Sequence, residues 1–277
     1  MSLPGELDQA YVLARKVLLD ALGALRDQLP ALTLVGAQAI YLHIGEADFA
    51  VLPYTTDGDI ALDPRVLVDD PELEDAMRQA NFLLHPTDVG IWLSGKGEGP
   101  QVDLLVPEAI GGAGRRGARL GVHGKRAAHK VRGLEGALID RTLMNVGSLD
   151  SADDRRFEVA VAGPAALVVA KLHKLAERQD QPRRQDEKDA FDVYRLLSYV
   201  EAAEMATRVR MLAADPIAGD VTRQALDYLR QLFSTAESIG SQMAGRNVEA
   251  VGDPAFVAAA VSALAVELLE ELDRAVS

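Results

Sequence analysis

Two aspartates separated by one residue, Asp57-Gly58-Asp59, open a short apolar run, Ile60-Ala61-Leu62. On a strand, residues two apart share a face, so Asp57 and Asp59 point one way while Ile60 and Leu62 point the other. Adjacent carboxylates repel unless a cation lies between them. Hard divalent ions such as Mg²⁺ or Mn²⁺ take such oxygen ligands, with phosphate completing the shell. The same residues also read as a turn, since Asp-Gly is a common turn dipeptide that Asp59 can cap. A third carboxylate, Asp103, interrupts the apolar run Val102-Asp103-Leu104-Leu105-Val106. There it either faces solvent or is buried with a partner. On a strand beside the Asp57/Asp59 pair it makes a three-carboxylate cluster, suited to two Mg²⁺ ions about 4 Å apart, as in phosphoryl and nucleotidyl transfer.

Further residues bear on phosphate and nucleic acid. Val35-Gly36-Ala37-Gln38 runs a strand through a glycine into a helix. Small residues there let backbone N–H groups approach a phosphate, although such junctions are also common packing devices. Lys171, Lys174 and Arg178 form a basic stripe at helical spacing, and Asp189 and Asp192 share a face of the next helix. One reading is a pair of antiparallel helices cross-linked by surface ion pairs. The other starts from the apolar run Ala165–Ala170, which puts Lys171 near the buried side, where a lysine suits a triphosphate. Between positions 115 and 132 lie Arg115, Arg116, Arg119, Lys125, Arg126, Lys130 and Arg132 with no acidic residue among them. Such a segment either tracks a nucleic-acid backbone or is a solvated loop.

These residues need elements to hold them. Periodicity predicts a helix over Glu6–Leu29 stopped by Pro30, a strand over Leu32–Val35 and a helix over Ala37–Ile44 ended by Gly45. A loop follows over Ala47–Thr56, then a strand over Gly58–Leu62. Pro71–Ala80 reads as a helix with Pro71 in its first position. Gly90–Ser94 and Gln101–Val106 read as a hairpin across the turn residues 95–100. Further strands are expected over Ala137–Leu149 and Phe157–Val161. From Gly163-Pro164 onward the pattern is helical: Pro164–Gln179 with Gly163 as cap, a polar loop at Gln181–Gln185, then Asp186–Val200, Glu201–Ala213, Asp220–Gly240 and Pro254–Val276. The expected class is α+β, with a mixed-sheet domain over residues 1–163 and an all-helical domain over 164–277.

Composition narrows the function classes. At 277 residues the chain makes one or two domains. With 48% hydrophobic and 26% charged residues it is neither disordered nor fibrous. Zero cysteine excludes a disulfide framework, a Cys-ligated metal and a thiol nucleophile. A net charge of −13 argues against general coating of DNA and leaves only a local basic patch for nucleic acid. The N-terminus lacks the basic and apolar regions of a signal peptide, and the apolar run Phe256–Val266 is too short to span a bilayer, so no membrane partner and a cytoplasmic location are expected.

Taken in order, Gly36-Ala37, Thr56-Asp57-Gly58-Asp59, Val102-Asp103-Leu104, and Lys171, Arg178, Lys188-Asp189 and Asp192 resemble the AbiEii-type nucleotidyltransferase family, a minimal branch of the polymerase-β-like nucleotidyltransferases. The resemblance covers about Leu32 to Leu197. The family pattern has Gly-Gly or Gly-Ser where this chain has Gly36-Ala37, and Gln38 or the hydroxyls of Thr55 and Thr56 are the substitutes at hand. The resemblance implies a Mg²⁺- or Mn²⁺-dependent enzyme in which the helical domain completes the active site. Asp57, Asp59 and Asp103 would be metal-binding and catalytic, with Asp103 activating the acceptor hydroxyl. Lys171 would contact the triphosphate, Asp189 would be the final acid with Asp192 its companion, and Gly36, Ala37, Gln38, Thr56 and Arg178 would contact the nucleotide. The implied partners are an NTP, an RNA acceptor such as the 3′ end of tRNA gripped by Arg115, Arg116, Arg119, Lys125 and Arg126, and a cognate antitoxin if the protein is a toxin of a toxin–antitoxin or phage-defence system. Transfer to a small molecule or protein hydroxyl, and a non-catalytic nucleotide- or partner-binding relative, are the alternatives.

Overall fold

Alternation of apolar residues along short strands builds a mixed sheet, and 3.6-residue periodicity after Gly163 builds a set of helices. The computed structural model describes residues 9–45, 55–95, 99–114, 116–179 and 187–274. Much of the loop expected at Ala47–Thr56, part of the 95–100 turn, the loop at Gln181–Gln185, Arg115 and the side chain of Arg178 lie outside the described residues. The chain forms two units, Met1–Val131 with Arg141–Ala162, and Arg132–Asp140 with Gly163–Ser277. Among the described residues, no helix is long and apolar enough to cross a membrane.

The first unit holds helices α1 (Gln9–Ala24), α2 (Gly36–Ile44) and α3 (Leu73–Gln79). Its strands are β1 (Leu32–Val35), β2 (Asp57–Leu62), β3 (Phe82–Leu84), β4 (Ile91–Ser94), β5 (Gln101–Pro107), β6 (His129–Val131), β7 (Arg141–Gly147) and β8 (Arg156–Ala162). They form one mixed sheet in the order β3-β4-β5-β2-β1-β8-β7, with β6 beside β5. Strand β4 pairs antiparallel with the start of β5 at 101–103, and β6 pairs parallel with its end at 105–107. One face carries Gly58, Ile60, Leu62, Val102, Leu104 and Val106, all buried. It packs on α1: a Cβ on Gly58 would lie 3.2 Å from Leu18.

Three expectations change here. The first helix ends at Ala24, and a 3₁₀ turn over Arg26–Ala31 accommodates Pro30, whose fixed φ suits it. Helix α3 starts at Leu73 with Glu72 as N-cap, so Pro71 lies before it; the Gln28 amide holds that approach, donating to Val68 O and Pro71 O at 2.7 and 3.0 Å. The strand expected over Ala137–Leu149 is a 3₁₀ turn over Glu135–Leu138 followed by β7. Strands β3 and β6 are too short to show a period.

The second unit holds α4 (Pro164–Gln179), α5 (Glu187–Tyr199), α6 (Ala202–Ala214), α7 (Gly219–Phe233), α8 (Ile239–Arg246) and α9 (Pro254–Arg274). The helix expected over Asp220–Gly240 is broken. Ser238 Oγ accepts the Thr235 N–H at 3.1 Å and Ser238 N donates to Thr235 O. Hydroxyl side chains there compete with the helical ladder and restart it at Ile239. The cap of α4 is also not Gly163 alone. Asp140 Oδ2 accepts the N–H groups of Ala165 and Ala166 at 3.1 and 3.2 Å, while its Oδ1 accepts from Arg208 at 2.9 Å. Gly163 is required because a Cβ there would lie 2.2 Å from that carboxylate.

Candidate functional site

Strands β2 and β5 run parallel with Asp57 opposite Gln101 and Asp59 opposite Asp103. Directly paired residues project to one side, so Asp57, Asp59 and Asp103 share the face turned away from α1. A one-residue slip would drive the aspartates into the core, so hydrophobic burial of Ile60, Leu62, Val102 and Leu104 fixes this register. On the same face Val35 lies opposite Asp59 on the β1 side, and Ile91 lies opposite Asp103 on the β4 side.

The start of α2 is built around this carboxylate row. Gly36 has φ +68°, and a Cβ on it would fall 1.9 Å from Asp59 Oδ2. The carboxylate thus rests on bare backbone at the helix N-terminus, whose partial positive charge favours an anion. Thr56 Oγ1 donates to Asp57 Oδ1 at 2.7 Å, and Ala37 is buried beside Gly36.

Gln38 is engaged on both sides. Its Nε2 donates to Asp57 O at 2.9 Å, and its Oε1 accepts from Arg15 Nε at 2.8 Å. Arg15 is buried, donating also to Tyr11 Oη at 2.9 Å and to Gly147 O at 3.2 Å. Sequence reasoning did not single out Arg15. The available signal was an arginine four residues from Tyr11 on the apolar side of α1.

The three aspartates share a face without closing on a point. Among the described residues, no group of three or more His, Cys, Asp or Glu side chains is placed to hold a metal ion. Asp57 is turned to the Thr56 hydroxyl and Asp59 lies against Gly36. The donor set is oxygen-only and held in register on adjacent strands, the chemistry a hard divalent ion takes, with Asp59 itself filling the space over Gly36.

The basic segment is partly committed to its own fold. Trp92 Nε1 donates to Ala127 O at 2.9 Å, pinning the segment to β4. Arg126 donates to His85 O and Pro86 O, and Lys130 donates to Gly112 O and Gly114 O. Arg116, Arg119 and Lys125 are exposed.

In the second unit, Lys171 Nζ sits between Asp189 Oδ1 at 2.5 Å and Asp192 Oδ2 at 2.7 Å, all three residues being buried. Lys174, half exposed, reaches Asp189 Oδ2 at 3.2 Å, and Arg195 reaches Asp192 Oδ1 at 3.4 Å while its guanidinium lies over the Phe191 ring. Burial by itself pulls the Lys171 ammonium down; the charges of Asp192 and Asp189 outweigh it and hold its pKa above the ordinary lysine value. The ammonium that the family resemblance assigns to a triphosphate here ties α4 to α5. The ion pairs of the helix–helix reading are formed, those of Lys171 in the core and that of Lys174 at a half-exposed site. No family model, no curated protein and no solved structure matches this chain.

Proposed function

We propose that the protein is a Mg²⁺- or Mn²⁺-dependent nucleotidyltransferase of polymerase-β-like fold, moving a nucleoside monophosphate from an NTP to an acceptor hydroxyl, foremost the 3′ end of an RNA such as tRNA. The observation that carries this reading is the register of β2 on β5, with Asp59 opposite Asp103 and Asp57 on the same face. The resemblance to AbiEii-type nucleotidyltransferases supports the NTP as donor, and with it a toxin role and an antitoxin partner. Asp57, Asp59 and Asp103 would hold the ion, which supplies charge neutralisation on the phosphates when bound. The Thr56 hydroxyl orients Asp57, and Gly36 gives the Asp59 carboxylate its seat. The acceptor oxygen forms a bond to the α-phosphorus as the bond from that phosphorus to the α–β bridging oxygen breaks. Pyrophosphate leaves, and the hydroxyl proton passes to the Asp103 carboxylate. The exposed Arg116, Arg119 and Lys125 favour a polyanionic acceptor over a small neutral one.

The test is incubation with labelled NTPs, Mg²⁺ and total RNA. Label on RNA is expected, and Asp59→Asn or Asp103→Asn should lower it by at least about 100-fold, the scale of losing a principal charge-stabilising group, with the melting temperature retained. Label confined to small molecules or protein would replace the acceptor. NTP binding without any transfer would replace the enzyme with a binding protein.

A further inference from the structure

Strand β7 is an edge of the sheet, paired on one side only, with β8. Its seven pairs run from Arg141 opposite Ala162 to Gly147 opposite Arg156 without a bulge. The ladder continues past both ends, with Gly163 N donating to Asp140 O and Ser148 N donating to Arg155 O. Antiparallel bonding alternates. The backbone groups of Thr142, Met144 and Val146 therefore face β8, and those of Arg141, Leu143, Asn145 and Gly147 face outward. The outward row is closed at both ends. Before β7, Ile139 N donates to Gly136 O. After it, Arg15 takes Gly147 O. What remains is Arg141, Leu143 and Asn145, with the Gly147 N–H beyond them, whose outward backbone groups bond to no described residue.

Edges of this kind are normally blunted by proline, lysine, bulges or shortness. The opposite edge, β3, is three residues long. β7 has no proline, lysine or bulge and is seven residues long; its one charge, Arg141 at the end of the strand, turns inward to Thr33 Oγ1, and at its centre Leu143 is 65% exposed. The open row is symmetric about Leu143, so its complement is a second copy of itself. We propose that β7 is a self-association edge: two copies of this chain pair antiparallel through β7 about a two-fold axis at Leu143, joining their sheets. In that register Leu143 meets Leu143, and Arg141 meets Asn145 of the other copy. Every outward N–H and C=O of the row then finds a partner. Charge does not oppose the register. Arg141 is the one charged residue of β7, its guanidinium is turned inward to Thr33 Oγ1 at 3.0 Å, and its backbone lands opposite Asn145. The two arginines stay four residues apart along the strands, about 13 Å, beyond the screening length of about 8 Å at physiological salt. The bond from Arg15 to Gly147 O excludes the neighbouring register centred on Met144.

The absence of native cysteine makes the test direct. Leu143→Cys places the two introduced thiols on the axis, where a hydrogen-bonded pair has a Cα separation of about 5.5 Å, within disulfide range. Mild oxidation should convert most of this variant to a covalent dimer. Asn145→Cys should stay unlinked, and Arg141→Cys combined with Asn145→Cys should link. In sedimentation, the unmodified chain should be a dimer across a concentration series. Leu143→Lys should raise its dissociation constant at least tenfold, and the same change at Leu83 on β3 should not. Leu143→Pro removes only an outward N–H, so it should give a folded monomer. A monomeric wild-type chain, or equal linking at positions 143 and 145, would overturn the proposal. Neither readout depends on nucleotidyl transfer.

Discussion

Gln38 couples the core to the carboxylate face through a single amide, and its two ends can be separated by chemistry. Gln38→Glu keeps an acceptor for Arg15 and adds an ion pair, while replacing the donor to Asp57 O with a second acceptor. We expect a melting temperature equal to or above that of the wild type, together with a loss of transfer of roughly tenfold, one lost neutral hydrogen bond being worth about 1 kcal/mol and an opposed oxygen pair adding to it. Parallel loss of stability and activity would make Gln38 a packing residue only. At Lys171 the balance is the reverse. Lys171→Met removes the buried ammonium between Asp189 and Asp192, leaving their longer contacts with Lys174 and Arg195, and should cost about 3–5 kcal/mol in denaturant unfolding. Lys174→Ala, at a half-exposed site, should cost less than about 1 kcal/mol. Because the Lys171 pKa is raised on folding, its contribution is complete below the unfolded lysine value and is lost only as pH rises through the folded one. Neutral-pH measurements therefore see it in full.

Helix α4 depends on groups far from it in sequence. Asp140 caps its first turn, and His173 in its third turn is buried with Nε2 on Val221 O at 2.8 Å, edge-on to Tyr228. Desolvation holds the His173 pKa below the ordinary histidine value. In the first unit His123, which accepts the Leu73 N–H, is lowered for the same reason. A depressed histidine is neutral in the fold and takes up a proton on unfolding. Its contribution is present above about pH 6.5 and is lost as pH falls below that, each such proton adding a slope of about 1.4 kcal/mol per pH unit. Chemical denaturation between pH 7.5 and pH 5 should thus show falling stability, and His173→Gln should flatten the dependence. An unaltered slope in that variant would place the acid sensitivity elsewhere.

On the scale of the whole chain, a basic segment sits in a protein of net charge −13. Arg126 and Lys130 are occupied in holding loop carbonyls, so the RNA contact of the proposed function would fall to Arg116, Arg119 and Lys125. Three phosphate contacts on a single strand give a log–log salt slope of about −2. Reversing Arg116, Arg119 and Lys125 to Glu should weaken RNA binding and flatten that slope, with NTP affinity little changed. RNA binding across a salt series, with NTP binding measured alongside, checks both. A slope left at the wild-type value would mark the segment as a structural loop braced by Trp92.

Local chemistry was enough to read β1, α4 and the hairpin of β4 and β5, because each announces itself by periodicity and by Gly or Pro at its ends. It was also enough to put Asp57 and Asp59 on one side of a strand, a consequence of the two-residue repeat alone. What no spacing contains is which strand lies beside which. The pairing of Asp59 with Asp103 joins residues 44 apart and exists because burying Ile60 against Leu104 on the opposite face selects one register. For the same reason the basic stripe on α4 could not be sorted from sequence. Packing of α5 against α4 submerged Lys171 between Asp189 and Asp192 and left Lys174 at the surface. Arg15 and Asp140 went unread because their partners, Gln38 and the first turn of α4, are distant in the chain and are brought to them only by the closing of the cores.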